Sequence, residues 1–172
     1  KKRLVCYGGT AINEILPEED QFYDKNIELP DYDCYSTEPA KDAIELADVF
    51  KTHGFKYIQA KSGQHDGTFN VFVNYVKIAD ITMLLPTMYK LIKSEAIEKN
   101  GILFAPPNFL RLSMHVELSR PGGDVSRWEK ILKRLTLLNK HYPITNSNCS
   151  DVQFQRRFTK GNSIENGSTK YS

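Results

Sequence analysis

Three aspartates and one glycine pair are the residues of this chain whose types and spacing can do chemistry. Asp31 and Asp33 flank Tyr32. In a strand, where side chains alternate faces, their carboxylates point the same way, about 6.5–7 Å apart at Cα. Like charges on one face repel, so such a pair weakens a strand unless a cation sits between them. Asp80 lies in Val76-Lys77-Ile78-Ala79-Asp80-Ile81-Thr82, where alternation groups it with Val76 and Ile78 and leaves Ala79 and Ile81 on the other face. A carboxylate in so apolar a strand is part-buried and needs a partner: a basic side chain, backbone N–H groups or a metal. If its strand lies beside the Asp31–Asp33 strand, three carboxylates converge. Mg2+ (or Mn2+) takes oxygen ligands, and three acids can hold two such ions ~4 Å apart, one at an attacking oxygen and one at a leaving pyrophosphate. Gly8-Gly9 supplies a phosphate contact, because glycines at a strand-to-helix junction let backbone N–H groups and the helix dipole approach an anion. Each feature alone has a bland reading, an edge strand or a plain turn; their order along the chain is what gives them specificity.

The elements that must position these residues alternate between helix and strand. A short strand runs into Gly8-Gly9 and a brief helix carrying Ala11, Ile12, Ile15 and Leu16; residues 17–30 read as a polar loop. A strand is expected at Tyr32–Tyr35, then a helix capped by Thr37, with Glu38 and Pro39 in its first turn and Ala43, Ile44, Ala47 and Phe50 at helical spacing. Phe55–Ala60, Thr68–Asn74 and Tyr75–Met83 read as strands, with turns at Ser62–Gly67 and Asn74. Pro86–Lys93 and Asn108–Leu118 read as helices on either side of the apolar stretch Gly101–Phe104. Asp124 opens the clearest helix, whose stripe of Val125, Trp128, Ile131, Leu132, Leu135 and Leu138 makes Trp128 a core residue. The class is α+β, a small mixed β-sheet with helices packed on it. Residues 1–143 are read as the catalytic domain. Residues 144–172, rich in Asn, Ser, Gly, Lys and Arg, are read as a polar tail or linker leading to a further C-terminal region.

Composition narrows the setting. A chain of 172 residues affords one domain with a proper core. No apolar run approaches the ~20 residues of a membrane span, and none of signal-peptide length follows Lys1-Lys2-Arg3. Cys6, Cys34 and Cys149 are widely spaced, with no C-x-x-C pair, which argues for free thiols in a reducing compartment and against structural zinc. The net charge of +2 hides an asymmetry. Residues 1–50 hold 5 Lys/Arg against 12 Asp/Glu, and residues 51–172 hold 18 against 9. An acidic half that could hold metal and a basic half that could hold polyanion suit an enzyme acting on phosphates.

The same residues resemble a known pattern. Gly8-Gly9, Asp31-Tyr32-Asp33-Cys34 and Ile78-Ala79-Asp80-Ile81 follow the order of nucleotidyltransferases of the DNA polymerase β superfamily. Longer strings resemble the poly(A) polymerase catalytic subunits of large cytoplasmic DNA viruses, of the giant-virus type: Gly8-Gly9-Thr10-Ala11-Ile12-Asn13, Phe22-Tyr23-Asp24-Lys25, Glu117-Leu118-Ser119-Arg120-Pro121 and Gly123-Asp124-Val125-Ser126-Arg127-Trp128-Glu129-Lys130. The chain departs from the superfamily in the 21 residues between Gly9 and Asp31 and in Thr10 following the glycines. The resemblance implies a nucleotidyltransferase fold and template-independent transfer of AMP from ATP to RNA 3′ ends. It implies Asp31, Asp33 and Asp80 as catalytic metal ligands, with Gly8, Gly9 and Thr10 at the nucleotide. ATP and an RNA 3′ end are the implied partners, a homodimer is left open, and no membrane is expected. Mg2+ or Mn2+ is the implied cofactor, in a viral protein acting on mRNA in the host cytoplasm, with packaging in the virion also open.

Two rival functions share these residues: a synthase of cyclic dinucleotide or oligoadenylate messengers, and an inactive module that binds RNA or a partner. Arg127, Lys130 and Arg134 share one side of the last helix and are candidate RNA contacts, weighed against a plain solvated face. Arg156-Arg157 and Lys160 are weaker candidates, as is the Lys61-Ser62-Gly63 turn for a triphosphate. His53, His65, His115 and His141 are scattered without ligand spacing. Cys34 falls opposite the two acids and is read as a packed thiol rather than a nucleophile.

Overall fold

The computed structural model describes residues 4–24, 27 and 30–144, together with the strand residues 164–165 and 168–169. The chain divides into two units, Lys1–Tyr142 and Pro143–Ser172. In the second, Ile164–Glu165 and Ser168–Thr169 pair antiparallel. The basic residues Arg156, Arg157 and Lys160, and most of the expected tail, lie outside the described residues.

The first unit is built on a seven-stranded mixed sheet in the order β3-β4-β5-β2-β1-β7-β6. Its strands are β1 (Val5–Tyr7), β2 (Tyr32–Ser36), β3 (Gln59–Ser62), β4 (Thr68–Val73), β5 (Val76–Met83), β6 (Ile97–Lys99) and β7 (Ile102–Phe104). Five helices accompany them: α1 (Gly8–Ile15), α2 (Pro39–Thr52), α3 (Pro86–Ser94), α4 (Pro107–Ser119) and α5 (Trp128–His141). The α+β expectation holds. β2 runs parallel to β5 and antiparallel to β1, so the strand that leads into the glycine turn and the strand bearing Asp80 flank the Asp33 strand.

Alternation gives the sheet two chemically distinct faces. On one, Val71, Ala79 and Ile81 pack against Ala43 of α2, with Leu46 and Ala47 beside it. A larger core gathers Val5, Ile12, Leu16, Phe104, Leu110 and Leu138 from strands β1 and β7 and helices α1, α4 and α5. The other face of β2 and β5 carries the acids, because Asp33 is paired with Asp80 and Asp80 in turn with Asn70.

Several expectations shift. Thr37 does not cap α2: the Ser36 hydroxyl accepts the Glu38 N–H and donates to Asp42, and Pro39 opens the helix. In α2 Ile44 faces solvent while Leu46 packs inward, since the stripe follows the sheet it covers. Asp124 caps a 3₁₀ turn, Val125–Arg127, rather than α5 itself, accepting from the Ser126 N–H. The buried stripe of α5 is therefore Ile131, Leu135 and Leu138, and Trp128 is 42% exposed, with Val125 and Leu132 also exposed. The extra turn rotates the first residues of the stripe away from the core. β6 had no sequence signal; it is three residues long and hairpins onto β7 through Asn100-Gly101, both at positive φ.

Candidate active site

The site starts at the end of β1. Gly8 has a φ of +73°, which an L side chain resists, and a Cβ there would meet Asp33 Oδ2 at 2.6 Å. The acid therefore lies directly against the glycine turn. A Cβ on Gly9 would meet Tyr23 Oη at 2.6 Å and Arg134 Nη1 at 2.9 Å. Gly8 is required by its backbone and its close approach to Asp33, whereas Gly9 is approached only by the ends of two side chains. Thr10 is buried, and its hydroxyl donates to the Asp31 carbonyl at 2.7 Å, tying α1 to the start of β2. That hydroxyl serves the backbone.

Asp31, Asp33 and Asp80 lie at neighbouring strands, with Asp31 and Asp80 joined through Lys77. Asp33 and Asp80 are direct partners on parallel strands, with Asp31 two residues ahead of Asp33. Burial, then the neighbouring charges of Asp31 and Asp80, push the Asp33 carboxyl up to about 6. Asp80 accepts from the Asn70 side-chain amide and from Lys77 Nζ at 2.8 Å. The same ammonium stands 2.9 Å from Asp31 Oδ2. Burial works against a charged Lys77, but its hydrogen bonds with the two acids outweigh that and hold it protonated well above the usual lysine range.

Lys77 is the site residue that sequence reasoning missed. Strict alternation puts it on the face opposite Asp80. In the fold, Val71 pairs with Ala79 and Phe72 with Lys77, leaving Ile78 as the extra residue of a bulge. The bulge turns Lys77 onto the acid face and sends Ile78 to the apolar one.

Asp31 and Asp33, but not Asp80, open on a cleft of about 460 Å³. Gly8, Gly9, Asp31 and Asp33 line it, as do Arg127, Lys130 and Arg134 of the last helical segment. These three cations, candidate RNA contacts weighed against a solvated face, share a cavity with the glycine turn. Arg134 Nη2 donates to Tyr23 Oη at 2.7 Å, and its guanidinium lies 4.8 Å from the centre of the Phe22 ring. Arg127 pairs with Glu117 at 3.0 Å. Tyr7 and Tyr35 stack at 3.8 Å beside Asp33, and burial above all raises the Tyr7 phenol to about 12. Tyr23 and Glu117 were legible only as members of the resembled strings.

Other candidates fall away from this cleft. Cys34 faces away from the acids and lies 2.9 Å from Cys6 across β1 and β2; that hydrogen bond and burial push its thiol well above the usual range. His53 and His141 bond Val49 and Asp20, respectively. Lys61 sits over the Phe72 ring.

Among the described residues no group of three or more His, Cys, Asp or Glu side chains stands in a metal-holding arrangement. The acids nevertheless fit a divalent cation. Asp31 and Asp80 already converge on one positive charge, Asp31 Oδ1 is buried without a hydrogen-bond partner among the described residues, and burial, then the charges of Asp31 and Asp80, make the Asp33 carboxylate harder to form. A hard cation with oxygen ligands answers all three.

Comparison with known proteins gives the chain's family. The family model described as "Poly(A) polymerase catalytic subunit" matches residues 1–124. A candidate poly(A) polymerase catalytic subunit of Acanthamoeba polyphaga mimivirus is 35% identical over 142 residues, which is 80% of this chain and 24% of that protein. A counterpart so described in African swine fever virus (strain Badajoz 1971 Vero-adapted) is 32% identical over 150 residues, 84% of this chain and 31% of its own length. The crystal structure of the Megavirus polyadenylate synthase superposes with a TM-score of 0.78 at 34% identity, covering 86% of this chain and 30% of that one. The chain thus spans 24% to 31% of the length of these matched proteins, and it belongs to the poly(A) polymerase catalytic subunit family.

Proposed function

We propose that this chain carries the catalytic domain, residues 1–143, of an enzyme that transfers AMP from ATP to RNA 3′ ends without a template. The observation that carries the reading is the pairing of Asp33 with Asp80, with Asp33 set against Gly8 in a cleft lined by Arg127, Lys130 and Arg134. Acids and cations lining one cleft suit a substrate whose triphosphate needs metal at one point and direct charge neutralisation elsewhere.

Asp31 and Asp33 would hold both ions of a Mg2+ or Mn2+ pair, and Asp80 the ion on the hydroxyl side. Such ions neutralise phosphate charge and favour the alkoxide form of an attacking hydroxyl. In the transfer, the RNA 3′ oxygen forms a bond to the α-phosphorus of ATP as the bond to pyrophosphate breaks, and the hydroxyl proton is lost. The protein's part is to align these groups and exclude other geometries. The N–H groups at the start of α1, left open by Gly8 and Gly9, face the phosphates. Arg134, held by Tyr23 over Gly9, and Arg127 and Lys130 on the same side bind phosphate oxygens of the triphosphate or of the RNA end.

Incorporation of labelled ATP into an RNA primer with Mg2+ or Mn2+ tests this, using the full-length protein that contains the chain. Primer extension by adenylate is expected, with loss in Asp33→Ala. Full activity in that variant overturns the reading. Small cyclic or short oligomeric products formed without primer would reassign the same site to messenger synthesis. A third reading, an inactive module, predicts no product and no stabilisation by ATP with Mg2+.

A further inference from the structure

We infer that Lys77 is a resident counter-ion of the acid set, a placeholder that a divalent cation must displace from Asp31 and Asp80. This rests on the divalent-cation reading above. One ammonium lies 2.9 Å from Asp31 Oδ2 and 2.8 Å from Asp80 Oδ2, so the two carboxylates farthest apart in sequence are joined through a single cation. The arrangement is built rather than incidental. It needs the bulge at Ile78, since without that extra residue Lys77 would point to the apolar face with Ala79. Asn70, the cross-strand neighbour of Asp80, holds the second oxygen of that carboxylate and fixes its orientation towards the lysine.

A metal shared by Asp31 and Asp80 and an ammonium between the same oxygens exclude one another by charge and by space. Lys77 therefore keeps three clustered acids tolerable before metal arrives, and its displacement lowers the apparent metal affinity. The consequence is coupling: a substrate that brings phosphate oxygens to complete the metal shell, and offers the released ammonium a new anionic partner, tips the exchange. Metal would then load with nucleotide rather than before it.

Mn2+ binding without nucleotide, followed by the electron paramagnetic resonance signal of free Mn2+, reads this directly. The neutral variants Lys77→Met and Lys77→Gln are expected to bind about tenfold more tightly than the parent chain, while Lys77→Arg binds no more tightly. Without metal, the neutral variants melt at lower temperature and regain stability with Mn2+. Glutamine keeps a hydrogen-bond donor should methionine fail to fold. In the unmodified chain, where the Lys77 side chain is 36% exposed and open to reagent, Mn2+ is expected to speed reductive methylation of Lys77 in peptide maps. Equal Mn2+ affinity in parent and neutral variants, or weaker binding in the latter, overturns the placeholder role and leaves the metal site standing. Unchanged methylation in a chain that binds Mn2+ does the same. No Mn2+ binding in any form overturns the metal reading beneath it.

Discussion

Asp33 and Asp80 face one another directly on adjacent parallel strands, β2 and β5. Neighbouring strands lie about 4.8 Å apart, so two carboxylates on one face cannot both be charged cheaply unless a cation intervenes. Burial and the charges of Asp31 and Asp80 raise Asp33 from 3.8 to about 6. Between those values the folded, metal-free chain keeps a proton that the unfolded chain has released. Stability therefore falls as pH rises through this window. Asp33→Asn is expected to flatten that fall and to raise the melting temperature near neutrality, while adenylate transfer drops on the order of 10²–10³-fold. Melting curves from pH 4 to 8, without metal, check the first part; primer extension checks the second. A variant less stable than the parent at pH 7 would contradict the account.

The two glycines are expected to fail differently. Gly8→Ala puts a side chain at φ +73° and into Asp33 Oδ2, which costs about 1–2 kcal/mol from the backbone alone. Urea denaturation should show that loss. Gly9→Ala meets only the far ends of Tyr23 and Arg134, which can move, and alanine is favoured over glycine in a helix by about 0.5–1 kcal/mol. Its stability should hold or rise while the KM for ATP increases, because the guanidinium is pushed off its place over the glycine turn.

Away from the cleft, Asp20 joins the segment before β2 to the end of α5 through Lys140 and His141. Hydrogen bonds from Lys140, then His141, hold its carboxyl below the usual range. The stabilisation is full above the unfolded carboxyl's value and is lost as pH falls through the lower folded one. Asp20→Asn is expected to cost stability at neutral pH and to converge with the parent chain at strongly acidic pH. A constant offset between the two melting curves down to the lowest pH would rule this out.

How much of this was legible follows from which physics the sequence carries. Alternation around Tyr32 put Asp31 and Asp33 on one face, and an acid among Val76, Ile78 and Ile81 announced a need for a partner. Strand neighbourhood came only with the resemblance, since nothing local pairs β2 with β5 across the intervening β3 and β4. The bulge at Ile78 was invisible because a period-two reading assumes an unbroken ladder, and so Lys77 went to the wrong face. Arg127, Lys130 and Arg134 were correctly grouped on one side of the last helix, but which cavity that side would line depends on the tertiary packing of α5. Trp128 was misplaced for a related reason: Asp124 closes a 3₁₀ turn first, and the helical phase counted from it is rotated.

Arg134 gives the sharpest test of the cleft's basic side. Its Nη2 is held by Tyr23 Oη at 2.7 Å, its guanidinium stacks near Phe22, and its Nε is buried without a hydrogen-bond partner among the described residues. A planar fork fixed in this way offers its remaining N–H groups to an anion in one orientation. Arg134→Lys keeps the charge but not the fork, so the KM for ATP should rise about tenfold at low salt, in line with ~1.5–3 kcal/mol for a hydrogen bond to a charged group. Tyr23→Phe leaves the charge and removes the tether, and should give a smaller increase. If Arg134 instead grips the RNA strand, both substitutions will raise the KM for primer, lessen its salt dependence and leave ATP binding unchanged. Measuring the two KM values as a function of salt separates the roles, and no change in either would remove Arg134 from the site.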